Sequence, residues 1–123
     1  MSDATYKISA RPGYILCEDP PGYEVMWSEM EPKIEAIRAA CERAECHKVL
    51  VRCPDIHMKL TTIEYFDLGK AIGEMNIQIA FEMTGDTLTA KNLTLLENAA
   101  SNRGSPIRFF DNEADAKAWL GVE

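Results

Sequence analysis

Along the chain, apolar positions first alternate, then recur at helical spacing, then gather into short continuous runs, and this order sets out the elements. Lys7 to Ala10 and Tyr14 to Glu18 read as two short strands around Arg11-Pro12-Gly13. Proline and glycine there supply the backbone angles of a tight reversal, so a hairpin is expected. Asp19-Pro20-Pro21-Gly22-Tyr23 cannot extend it, because two prolines remove ladder donors. From Trp27 the apolar residues step by three and four through Met30, Ile34, Ile37, Cys41 and Ala44, drawing one stripe down a helix. Ser28 and Glu31 have capping-box spacing, and Pro32 suits a first helical position, so the helix starts at one or the other. Its end is expected at Glu45 to His47.

Val49-Leu50-Val51 is a continuous aliphatic run, the pattern of a central strand covered on both faces. Thr61 and Glu64 then mark a second helix start, with Tyr65, Leu68, Ile72 and Met75 along one face. Ile77, Ile79, Phe81 and Met83 alternate with more polar neighbours, which places that strand nearer an edge. Leu88 to Asn102 forms a third helix closed by Gly104, Pro106 to Phe110 a last strand, and Asn112 or Asp111 caps a short helix carrying Ala116, Trp119 and Leu120. The order β-β-α-β-α-β-α-β-α predicts an α/β fold: an N-terminal β-hairpin, then alternating elements in a mixed, mostly parallel sheet with right-handed crossovers, covered by about four helices.

The 123 residues fit a single domain, 1–123, with one core. A hydrophobic share of 46% and no apolar run long enough for a membrane span predict a soluble protein, and an N-terminus without an apolar signal core predicts a cytoplasmic one. A net charge of −7 with no basic stripe argues against nucleic-acid binding and against electrostatic attachment to an anionic membrane. It leaves open peripheral membrane contact through apolar loops, and pairing with a second copy through strand edges or helix faces. Cys17, Cys41, Cys46 and Cys53 have neither metal nor disulfide spacing, two fall within strands, and they read as small hydrophobes. No cofactor is expected.

The element order, the length, and the ending Phe110-Asp111 through Ala116 to Trp119-Leu120 resemble the SpoIIAA-like proteins, which share the STAS fold and are often grouped with the Sec14-type lipid-binding proteins. The resemblance runs from about Tyr6 to Val122 and implies a non-catalytic binding or regulatory module. In the STAS proteins that antagonise anti-sigma factors, a serine at the helix start after the central strand is phosphorylated within an Asp-Ser-x-Gly-like motif. The matching place here is Lys59-Leu60-Thr61-Thr62, with hydroxyls present and the flanking aspartate and glycine absent. Thr61 and Thr62 are therefore the phosphoacceptor candidates.

Ligands of open α/β sheets sit beyond the carboxyl ends of the strands. Loops there supply Asp55, His57, Thr61, Thr62 and Asp86, from which a hydrolase-type reading would take His57 as base, Asp55 or Asp86 as its orienter, and Thr61 or Cys53 as nucleophile. No nucleophile elbow, phosphate-binding loop or metal-spaced histidine pair accompanies them, so no catalytic residue is assigned. Apolar residues at loop positions carry a different reading. Tyr23, Met26 and Trp27 before the first helix, with Ile56, Met58 and Leu60 and the adjacent His57, can line a site for a small apolar or amphiphilic ligand or a protein partner.

Overall fold

The structure is a computed structural model that describes residues 6–54, 57–84 and 90–122. Strands β1 (Lys7–Arg11) and β2 (Tyr14–Glu18) pair antiparallel around Pro12-Gly13, with Gly13 at φ 87°, a backbone angle that favours glycine. Next come a three-residue strand β3 (Glu24–Met26) and helix α1 (Trp27–Ala44). Strand β4 (Lys48–Pro54), a second short strand β5 (His57–Lys59) and helix α2 (Thr62–Gly73) follow. Strand β6 (Gln78–Thr84), helix α3 (Ala90–Ser101), strand β7 (Ile107–Phe110) and helix α4 (Glu113–Leu120) complete the described chain.

Among the described residues, β1-β2-β4-β6-β7 form one five-stranded sheet, parallel except for β1. Parallel neighbours in sequence order, joined by right-handed crossovers, send successive helices to the same face. α1, α2 and α3 accordingly meet Ile15, Val49, Val51 and Ile79 in the larger core. α4 lies on the other face, where Ala116 and Leu120 bury against Leu16, Leu50 and Ala80. There Arg52 holds three carboxylates at 3.0–3.1 Å, from Glu18, Glu82 and Glu113, joining three strands to the start of α4.

Three details depart from the sequence pattern. β6 lies one strand in from the edge, between β4 and the edge strand β7, so it is paired on both sides; its mixed outer face is covered partly by α4, whose Trp119 carbonyl accepts from the Gln78 side chain. α1 begins at Trp27, ahead of both expected starts, and Met26 at its N-cap makes no side-chain cap, so Pro32 sits inside the helix. Without an N–H, Pro32 leaves the Ser28 carbonyl without its helical partner, which loosens the first turns of α1. Finally, β3 and β5 pair in parallel as a separate two-stranded ribbon, where the pattern gave loops.

α2 and α3 touch through glycine. A methyl group added at Gly69 would lie 2.6 Å from Ala99 Cβ and 3.0 Å from the Leu96 carbonyl oxygen, and one at Gly73 2.7 Å from Arg103 Cβ. Ser105, fully buried, then fastens the end of α2 to β6, donating to the Gly73 carbonyl at 3.1 Å and accepting from the Ile77 N–H at 2.9 Å. Among the described residues, no helix is long and apolar enough to cross a membrane.

Candidate functional site

Between the sheet and the helices above it the side chains leave a cavity of about 70 Å³. Val51 and Ile79 from the sheet, Met30 and Ile34 from α1, and Leu68 and Ile72 from α2 form much of its wall. The volume exceeds one water's share of liquid, ~30 Å³, and falls short of the ~150 Å³ apolar cavity that holds benzene elsewhere.

Two charged residues interrupt the apolar wall. Asp19 follows β2 and is held in place by its own N–H, which donates to the Arg52 carbonyl at 2.9 Å, prolonging the ladder into the carboxyl end of the sheet. Lys33 reaches it from α1, with Nζ 2.6 Å from Asp19 Oδ1, and both residues are more than nine-tenths buried. Tyr6 and Tyr23 present their rings to the ammonium at 5.2 and 5.0 Å, geometry that suits a partly desolvated cation. Tyr23 in turn donates its hydroxyl to Glu29 Oε1 at 2.9 Å, and burial together with that bond raises its pKa. Burial pushes the Cys17 thiol up to about 12 and holds the Cys53 thiol, on the cavity wall, well above its ordinary value. At neutral pH both are protonated and poorly nucleophilic.

Above the cavity runs a groove of about 400 Å³ between α1 and α2, bordered by Trp27, Glu31, Glu35, Arg38, Ala71 and Glu74. Met30 and Ile34 line both spaces, so the cavity and the groove meet at these two side chains. Methionine is unbranched and turns between rotamers easily, which makes it a suitable gate. Trp27 and Met26, 40% and 44% exposed, stand at the outer end of this route where α1 begins.

Neither a scan against protein-family models nor a search of curated proteins produced a match. Among solved structures, the chain is similar to a protein of Shewanella loihica PV-4 described as an uncharacterised DUF3478-family protein with a SpoIIAA-like fold. The likeness has a TM-score of 0.52 and covers 94% of this chain and 92% of that one. The fold is SpoIIAA-like. At 16% identity the similarity carries the architecture and leaves the ligand to be argued from this chain's own residues.

Within this SpoIIAA-like fold the residues singled out from the sequence are distributed over different surroundings. Tyr23 is buried beside Lys33, Trp27 is exposed at the groove, Met26 is exposed at the N-cap of α1, and Leu60 packs at the margin of the larger core. Ile56, Asp55 and Asp86 lie outside the described residues, as do the side chains of His57 and Met58, whose backbones pair with Glu24 and Val25. Thr61 is the N-cap of α2: its Oγ1 accepts from the Glu64 N–H at 3.2 Å, while Glu64 Oε1 accepts from the Thr61 N–H at 2.9 Å. Thr62 opens the helix, exposed.

Asp19 and Lys33 were not among the sequence candidates. The signal was present in the stripe of α1, because a lysine three residues after Met30 and four before Ile37 falls on the buried side of the helix. A buried lysine requires a partner, and the aspartate straight after a buried strand is one.

Proposed function

We propose that the protein is a non-catalytic binding module that takes a small apolar or amphiphilic molecule between the sheet and α1, reached through the α1–α2 groove. The observation that carries this reading is the apolar cavity bordered by one ion pair and sharing Met30 and Ile34 with the groove. Ligand sites of this kind are mostly apolar with a few placed polar groups, and their usual size, roughly 300–1,000 Å³, is reached when the gate residues swing aside and join the two spaces. The loosened first turns of α1 around Pro32 are where such a movement costs least. The protonated thiols on and near the wall act as small hydrophobes in this reading.

The test is native mass spectrometry of the protein purified from its own host, followed by the same measurement after denaturation. An added mass that is lost on denaturation, and is absent from the cavity-filling variant Val51→Phe, is the expected result. A bare chain whose thermal midpoint ignores added alkanes, alcohols and fatty acids would overturn the proposal, since a ligand at a hundred times its Kd stabilises by about 2.7 kcal/mol. A mass of about one phosphate retained on Thr61 or Thr62 would instead favour a charge switch at the α2 N-terminus.

A further inference from the structure

We propose that the seam between α1 and α2 is a docking groove for a protein partner, and that it takes a basic amphipathic helix, apolar along one side with lysine or arginine on both flanks. This docking goes beyond the ligand reading and does not require the cavity below to be occupied.

The groove beside Trp27 continues along the seam. A second space of about 640 Å³ shares Arg38 and Glu74 with it and carries it on past Cys41, Glu45, Met75 and Ile77. Along α1 the bordering residues recur every three or four positions, at Glu31, Ile34, Arg38, Cys41 and Glu45, so the seam tracks one side of that helix. From Glu31 to Glu45 this is roughly 20 Å at a rise of ~1.5 Å per residue, the length of about four helical turns.

The floor is apolar and reachable: Ile34, Ala71 and Met75 are half-buried, and Trp27 at one end is 40% exposed. The banks are acidic. Glu31, Glu35, Glu42 and Glu45 stand along α1 and Glu74 caps the end of α2, all of them exposed. Against them are Arg38, whose Nη1 lies 3.0 Å from Glu35 Oε2, and His47 at the far end. Arg43, the basic residue in the last turn of α1, borders a different space beside β1. Glutamates three and four residues apart on one helix repel, and Glu42 and Glu45 also sit at the negative end of the α1 dipole. Cations brought by a partner relieve both strains, while an acidic surface or an anionic membrane is repelled.

The walls select a helix. Both are helices whose backbone groups pair within themselves, so the seam offers no strand edge. An extended peptide would lay unpaired N–H and C=O groups on apolar side chains, whereas a helix closes its own and meets the groove with anchors at i, i+3, i+4 and i+7.

The experiment uses the full chain at neutral pH and physiological ionic strength, ~0.15 M, with synthetic peptides. Each is as long as α1, 18 residues. One, of leucine, alanine and lysine, has an apolar helical face; a second has the same composition shuffled so that no face forms; a third carries glutamate in place of lysine. Calorimetric titration gives the affinities and amide NMR shifts give the place of binding. The first peptide is expected to bind about tenfold more tightly than either of the others, shifting Glu31, Ile34, Glu74 and the Trp27 indole N–H. Glu31→Gln/Glu74→Gln should weaken it about fivefold. Ala114→Lys/Ala118→Lys raises the net charge equally, at exposed positions of α4 on the other face of the sheet, and should leave the affinity within about twofold. Urea curves check that both variants fold. Equal weakening by the two variants would mean that overall charge alone attracts the peptide, and overturns the proposal. A shuffled peptide that binds as tightly, or spermine that shifts the same amides at the same affinity, overturns the helical occupant and the proposal with it. Shifts confined to another surface, or no binding by any peptide, also overturn it, and leave the cavity reading standing because that is tested separately by a bound mass.

Discussion

The two helix seams over the larger core are built differently. α2 meets α3 through Gly69 and Gly73, so closely that an added methyl at Gly69 would overlap the Ala99 side chain at 2.6 Å. α1 meets α2 across a groove of about 400 Å³ with the cavity beneath it, and Met30 and Ile34 line both spaces. Interiors are ordinarily packed as densely as organic crystals, so the second seam is the exception. The contrast teaches where this molecule can open. The α2–α3 pair, fastened to β6 through Ser105, behaves as one block with the sheet. α1 is held by an apolar stripe, by the Lys33–Asp19 pair and by the Tyr23–Glu29 hydrogen bond, and its first turns are weakened by Pro32.

The largest effect that would test this contrast comes from cutting the buried Lys33–Asp19 contact of α1. Lys33→Met leaves Asp19 buried and unpaired, and should lower stability by about 3–5 kcal/mol, whereas the double change with Asp19→Leu should recover most of it. Urea denaturation of the three proteins measures both; a single variant as stable as the parent would mean that α1 is held by other means. Smaller, but decisive for the tight seam, is Gly69→Ala, expected to cost about 1–3 kcal/mol because backbone and Cβ atoms of α3 must give way. On the groove side Ala71→Leu should change stability by no more than about 0.5 kcal/mol, since its side chain grows into open space. Equal losses at Gly69 and Ala71 would erase the distinction between the seams.

The finest measure follows a thiol. Cys53 lines the cavity with its pKa raised by burial, so at pH 8 it stays protonated and should alkylate slowly, after the half-buried Cys46. Its rate should rise only as α1 lifts, and fall when 1-hexanol fills the cavity. A Cys53 rate equal to that of Cys46 and indifferent to hexanol would mean that the cavity is open without any movement of α1.

How much of this was legible beforehand differs from element to element. The hairpin around Pro12-Gly13, the box between Thr61 and Glu64, the cap of Asn112 on the Asp115 N–H at 2.8 Å, and the burial of Ala116 and Leu120 follow from residues a few positions apart. Local chemistry of that kind survives in the sequence as spacing. The start of α1 was misplaced because its N-cap, Met26, carries no capping side chain, and what decides the start is the preceding strand Glu24–Met26, paired with a segment more than thirty residues away. Trp27 begins the stripe of α1 and is nevertheless exposed, because it borders the α1–α2 groove instead of the core.

By itself the sequence determined the α/β order, the direction of most strands, the helix caps and the faces that bury, because periodicity and capping are written in neighbouring residues. Only the tertiary structure decided that Lys33 would be enclosed beside Asp19, that β6 would lie inside the sheet, and that one helix seam would close on glycine while the other left a cavity. Those outcomes depend on distances between residues far apart in the chain, and the gap left between two packed surfaces is a property of both together, which neither stretch of sequence contains.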